Sequence, residues 1–195
     1  MPVSEAVQRC ARLLREGSAP DRRLCLLEME GLSCREELPA LDKKVLGWVL
    51  LSRYHLWPVA ERRAAARFLE IWLSTEASRR LSRRLEATRL EETDPEARES
   101  LKVAVFATMP DPELVQALER PSAEDLTEGL GLLIALEAAV ARLRQGVFGH
   151  RHLPALIEAL RKARAHRASH IAKPFLWRLE HVLELATRAG SYLLG

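Results

Sequence analysis

The stretch TDPEARESLKVAVFATMPDPELVQALER, residues 93–120, is two helix starts in succession. In the first, Thr93 or Asp94 offers an N-cap, Pro95 sits in the first turn, and Glu96 follows at the positive end of the helix dipole. The second repeats the same order at Asp111-Pro112-Glu113. A proline is tolerated at these positions because the first helical N–H groups have no partner to lose. Helix followed directly by helix is therefore the reading from which the rest of the chain is worked out.

Upstream, Val3, Val7, Cys10, Ala11 and Leu14 share one helical face, with Ser4 as cap and Gly17 as stop. A short helix after SAPD ends at Gly31, and a third runs from about Pro39 to His55 with a nearly all-apolar second half, which places it in the core. Residues 58–89 read as one long helix, but Phe68, Leu69 and Trp72 oppose Leu81 and Leu85 on a continuous wheel, so a break is expected at Ser74-Thr75. Downstream, Ser122 with Asp125 opens a helix that runs to Gly146 with Gly129 and Gly131 inside it. VFGHRH is a loop, and two last helices are expected over about 153–172 and 174–194.

The predicted fold is thus all-α, a compact multi-helix bundle of about ten helices in one domain spanning 1–195. The helices fall into pairs spaced by about 39 residues, and together with the DPE starts this is similar to HEAT-type helical repeats. That resemblance covers short stretches only, and it implies an alternative: a short HEAT-like α-solenoid of stacked helical hairpins.

Composition agrees: 48% hydrophobic and 29% charged residues describe a globular chain, and aromatic residues at 5% argue against a large sheet. Cys10, Cys25 and Cys34 are odd in number and form no CxxC, so they read as reduced thiols of a cytoplasmic-type compartment. The apolar run VLGWVLL, residues 45–51, is too short to span a bilayer, and the N-terminus has no signal-peptide core. Arg9, Arg12 and Arg15 on an amphipathic first helix suit a transit peptide, against which Glu5 and Glu16 count.

Charge is segregated. Residues 91–140 hold three basic and twelve acidic side chains, whereas residues 141–195 hold ten basic and three acidic. Such blocks suit either an electrostatic partner or two segments of one chain, or of two copies, that attract each other.

No P-loop, dinucleotide fingerprint, nucleophile elbow, zincin motif, EF-hand or zinc-finger spacing occurs, and the ExxH pair of a di-iron bundle is missing. An enzyme is therefore not expected, and no cofactor is implied. The pairs His150/His152 and His166/His170 have metal-like spacing, but cationic neighbours oppose a metal.

The most informative polar stretch is EALRKARAHRASHIAKPF, residues 158–175. With Leu153, Ile157, Leu160 and Ile171 taken as the core direction, Arg164 and Arg167 fall on the apolar face. Glu137, amid Leu126, Leu130, Leu133 and Val140, is the matching acid, so a buried pair of Glu137 with Arg164 or Arg167 is expected. Arg161, Lys162, His166, His170 and Lys173 face outward as a basic strip. In residues 78–89, Arg79, Arg80, Arg83 and Arg84 form i,i+4 rows suited to phosphate or to an acidic protein.

The function expected is a non-catalytic adaptor, scaffold or regulatory subunit that binds a protein partner or a second copy of itself. The alternative is a nucleic-acid-binding accessory protein using the basic helices 78–89 and 158–173. Trp57 is expected in the core rather than as an interface anchor, a part left to it only if exposed, or to Tyr192.

Overall fold

A computed structural model describes residues 4–35, 39–72, 78–120, 130–144, 148, 150–165, 177, 180–181, 183–185 and 187–188. Every element among them is helical, with no strand. The chain divides into two units, Met1–Thr108 and Met109–Gly195.

The first unit contains α1 (Glu5–Glu16), α2 (Ala19–Arg35), α3 (Ala40–Arg53), α4 (Val59–Trp72), α5 (Arg79–Glu91) and α6 (Pro95–Thr108), with a 3-10 turn at Tyr54–Leu56. Its starts are capped as the sequence requires. The Ser4 hydroxyl accepts from Val7 N, that of Ser78 from Leu81 N, and Asp94 Oδ1 accepts from Ala97 N at 3.0 Å. Gly17 ends α1 through Gly17 N donating to Leu13 O at 2.9 Å, and a Cβ on Gly17 would overlap that same carbonyl.

Neighbours pair as hairpins, α1 with α2, α3 with α4, and α5 with α6. Alternate helices also pack: α1 on α3 and α3 on α5 in one layer, α2 on α4 and α4 on α6 in the other. The all-helical bundle is thus built, over 1–108, as three hairpins stacked in two layers, the order that the hairpin-repeat resemblance implies. Its interior holds Val7, Leu14, Met29, Leu46, Leu50, Leu69, Leu85 and Leu101, all buried. Trp57 is buried as well.

Three boundaries differ from the sequence reading. Helix α2 runs through Gly31 to Arg35, because one glycine costs only about 1 kcal/mol inside a helix whose Cys25, Leu26 and Met29 are buried. The long segment 58–89 is indeed two helices, but the second starts only at Arg79, capped by Ser78, downstream of the break expected at Ser74-Thr75. A 3-10 turn at His150–His152 replaces part of the expected loop.

The second unit contains α7 (Asp111–Glu119), α8 (Leu130–Arg144) and α9 (Leu153–Ala165), each packed on the other two. Leu114, Leu118, Leu136, Ala139, Val140, Leu156 and Ala159 are buried there. The cap at Ser122 and the glycines 129 and 131 as packing sites lie outside the described residues, as do most of residues 166–195.

Candidate interaction surface

In the α2–α4–α6 layer, arginines are bound to carboxylates of the next hairpin. Arg22 Nε donates to Glu61 Oε2 at 3.0 Å, and its Nη1 donates to Gly17 O at 2.8 Å, five residues upstream. Arg62, forty positions on, does the same work: Nε donates to Glu92 Oε2 at 2.9 Å, Nη2 to Glu92 Oε1 at 3.0 Å, and Nη1 to Trp57 O at 2.9 Å, again five residues upstream. Each arginine thus fastens its own turn and clamps the following hairpin. Their neighbours add to this: Arg23 lies 3.4 Å from Glu61, and Arg63 donates to both oxygens of Asp94 at 2.8 and 2.6 Å. Arg67 and Glu96 complete the row.

Burial pushes the Glu92 carboxyl up, but hydrogen bonds from Arg62 and from Asp94 N outweigh it and hold the group at about 2. Asp94 is also held at about 2, first by Arg63 and then by Ala97 N. Glu92, Asp94 and Glu96, near the start of the acidic block 91–140, are therefore matched to α4.

In the α1–α3–α5 layer Arg9 lies 3.8 Å from Glu28 and Arg89 pairs with Glu86 at 2.8 Å, but other arginines differ. Arg12, Arg15, Arg83 and Arg84 are exposed and have no carboxylate partner among the described residues. Arg79 and Arg80 are exposed too, and the Arg80 guanidinium stands 5.1 Å over the Trp48 ring of α3. Between α1 and α3 lies a groove of about 410 Å³ lined by Gln8, Ala11, Arg12, Arg15, Glu16 and Val45. The four arginines expected in 78–89 thus sit on one exposed helix. Arg12 and Arg15, weighed in the sequence only as transit-peptide residues, face the same layer.

In the second unit Glu137 is exposed on α8, whose buried residues include Leu132, Leu133, Leu136, Ala139, Val140 and Leu143, and its expected partners Arg164 and Arg167 have side chains outside the described residues. The buried charge of α8 is Arg142, fully enclosed, with Nη1 donating to Asp111 Oδ1 at 2.9 Å. Burial pushes the Arg142 guanidinium down and Asp111 pulls it back up.

On α9 the buried stripe is Leu153, Leu156, Ala159, Leu160 and Ala163, while Ile157 is 47% exposed. Ile157, expected on the core side, therefore does not belong to that stripe. The side chain of Arg164 lies outside the described residues, as do His166, Arg167, His170 and Lys173. Arg161 pairs with Glu158 at 2.7 Å, and Lys162 Nζ donates to Glu119 O at 3.1 Å.

Cys10 and Cys25 are free thiols, both buried, with Cys25 Sγ 3.6 Å from Cys10 O. Among the described residues no group of three or more His, Cys, Asp or Glu side chains is placed to hold a metal ion, and no helix is long and apolar enough to cross a membrane. Comparison of the chain with protein-family models, with curated proteins and with solved structures found no match.

Proposed function

We propose that this chain is a non-catalytic helical interaction protein, an adaptor or scaffold, that receives an acidic protein partner on the α1–α3–α5 layer. The observation that carries this reading is the contrast between layers: Arg22, Arg62 and Arg63 of one are bound to its own carboxylates, whereas Arg12, Arg15, Arg83 and Arg84 of the other face solvent. Unpaired guanidinium groups in a row raise the local potential and steer an anionic surface towards them. The buried free thiols Cys10 and Cys25 fit a reducing, cytoplasmic-type setting.

The test is photo-crosslinking from a benzophenone side chain placed at Ser52 on the basic layer, beside a control at Arg98 on α6. Protein adducts that form from Ser52 and not from Arg98 support the reading. Equal labelling from both positions, or no protein adduct, would sink it.

Exposed Arg83 and Arg84 favour a second reading, a nucleic-acid accessory protein. Anisotropy of labelled single- and double-stranded DNA across a salt series tests it. Binding that weakens steeply with salt, and weakens again in Arg83→Ala/Arg84→Ala, is its expected result.

A further inference from the structure

We propose that the outward face of α3, bordered by α1 and α5, is the docking groove for an acidic amphipathic helix of a protein partner. This rests on the protein-binding reading above and names the chemistry of the partner. Leu41, Lys44, Val45, Trp48 and Ser52 recur at helical spacing and form one stripe along α3. Leu41 is 46% exposed, Lys44 and Ser52 are exposed, and Val45 and Trp48 are half-buried. These positions alternate with buried Leu46, Val49 and Leu50, which face the interior. An apolar strip therefore remains uncovered down the middle of this layer.

Cations border it on both sides. Arg12 and Arg15 stand on the α1 side, where Ala11 and Val45 form the floor of the groove. Arg80 stands on the α5 side, over Trp48, with Arg84 one turn further on. Packed helices are about 8–10 Å apart, so α1 and α5 flank α3 at about 16–20 Å from each other. One helix about 10–12 Å wide fits between them. Its apolar residues at i, i+3, i+4 and i+7 would meet Leu41, Val45 and Trp48, and carboxylates on its two shoulders would meet the arginines.

A nucleic acid fits less well. Trp48, half-buried and already carrying Arg80 on its ring, is a poor platform for base stacking. Leu41 and Val45 give a phosphate nothing to bind, and Glu16 on the rim repels it.

The experiment uses the full chain and a fluorescein-labelled designed helix with a leucine stripe and glutamate shoulders. Its controls are a scrambled peptide of the same composition and a single-stranded DNA of similar charge. Anisotropy titrations should show the amphipathic helix binding at least ten-fold tighter than the scramble and tighter than the DNA. The surface variant Arg12→Glu/Arg80→Glu should lose at least ten-fold in affinity while keeping its helical circular dichroism. It should regain that affinity for a peptide carrying lysine shoulders. Equal binding of helix and scramble, tighter binding of the DNA, or an unchanged affinity in the variant each overturns the proposal. Protein adducts from Ser52 without helix binding would overturn it too, while leaving the protein-binding function standing.

Discussion

At the residue scale, what matters most is which charges are enclosed. Glu92 is buried and clamped by both nitrogens of the Arg62 fork, so its stabilising effect depends on pH. Its carboxyl is depressed in the folded state, from 4.5 to about 2. The stability it contributes is therefore complete above 4.5 and is lost as pH falls towards 2. Replacing Glu92 by Gln should cost about 3 kcal/mol at neutral pH, because it strands a partly buried arginine. In urea titrations at several pH values, the gap between wild type and Glu92→Gln should be constant above pH 6 and close as acid protonates Glu92. Asp111 gives the parallel case in the second unit. Asp111→Ala leaves the fully enclosed Arg142 without its carboxylate and should cost about 3 kcal/mol, and adding Arg142→Met should recover most of it. Thermal unfolding of the two variants checks this.

At the element scale, local capping and short-range periodicity were readable in the sequence. Ser4, Gly17 and the start at Asp94-Pro95 stand where the residues put them, and residues 58–89 divide into two helices as their faces require. Ser78→Ala should lower stability by about 1 kcal/mol through the lost bond to Leu81 N, a change that chemical denaturation resolves. What the sequence hid were choices between near-equivalent faces. On α9, Leu156 and Ile157 are both apolar neighbours, and only packing on α7 and α8 decides that Leu156 turns inward. On α8, Glu137 lies between Leu133 and Val140, which are buried while Glu137 itself is exposed. Arg142 gives no signal in the sequence, where it is one arginine among many apolar residues, until Asp111 stands beside it in the structure. The clamp did leave a trace, an acid followed by two arginines at Asp21-Arg22-Arg23 and again at Glu61-Arg62-Arg63. Hairpin spacing alone did not reveal that these arginines reach forward to the next hairpin.

At the scale of the whole molecule, net charge says little and its distribution says more. The chain carries only +3, yet its arginines divide into those matched to carboxylates and those facing water. Sulfonate cation-exchange retention should respond more to the second kind. Arg12→Gln/Arg15→Gln/Arg84→Gln should elute at clearly lower salt than wild type, and Arg161→Gln, whose residue is paired with Glu158, should shift elution less per charge removed. The block pattern of acidic and basic segments was plain in the sequence. The pairing of Glu92 and Asp94 with α4 was not, since those partners lie about thirty residues upstream.

The duplicated clamp has a consequence for length. Arg22 and Arg62 each sit five residues after the carbonyl they fasten and each reach one hairpin ahead. Excising residues 22–61 would join Asp21 to Arg62, set Arg62 five residues after Gly17, and leave Glu92 as its forward partner. The shortened chain should still be helical and melt in one transition at lower temperature, observable by circular dichroism. The two clamps thus mark a step of forty residues in the chain, by which its length is expected to be reducible.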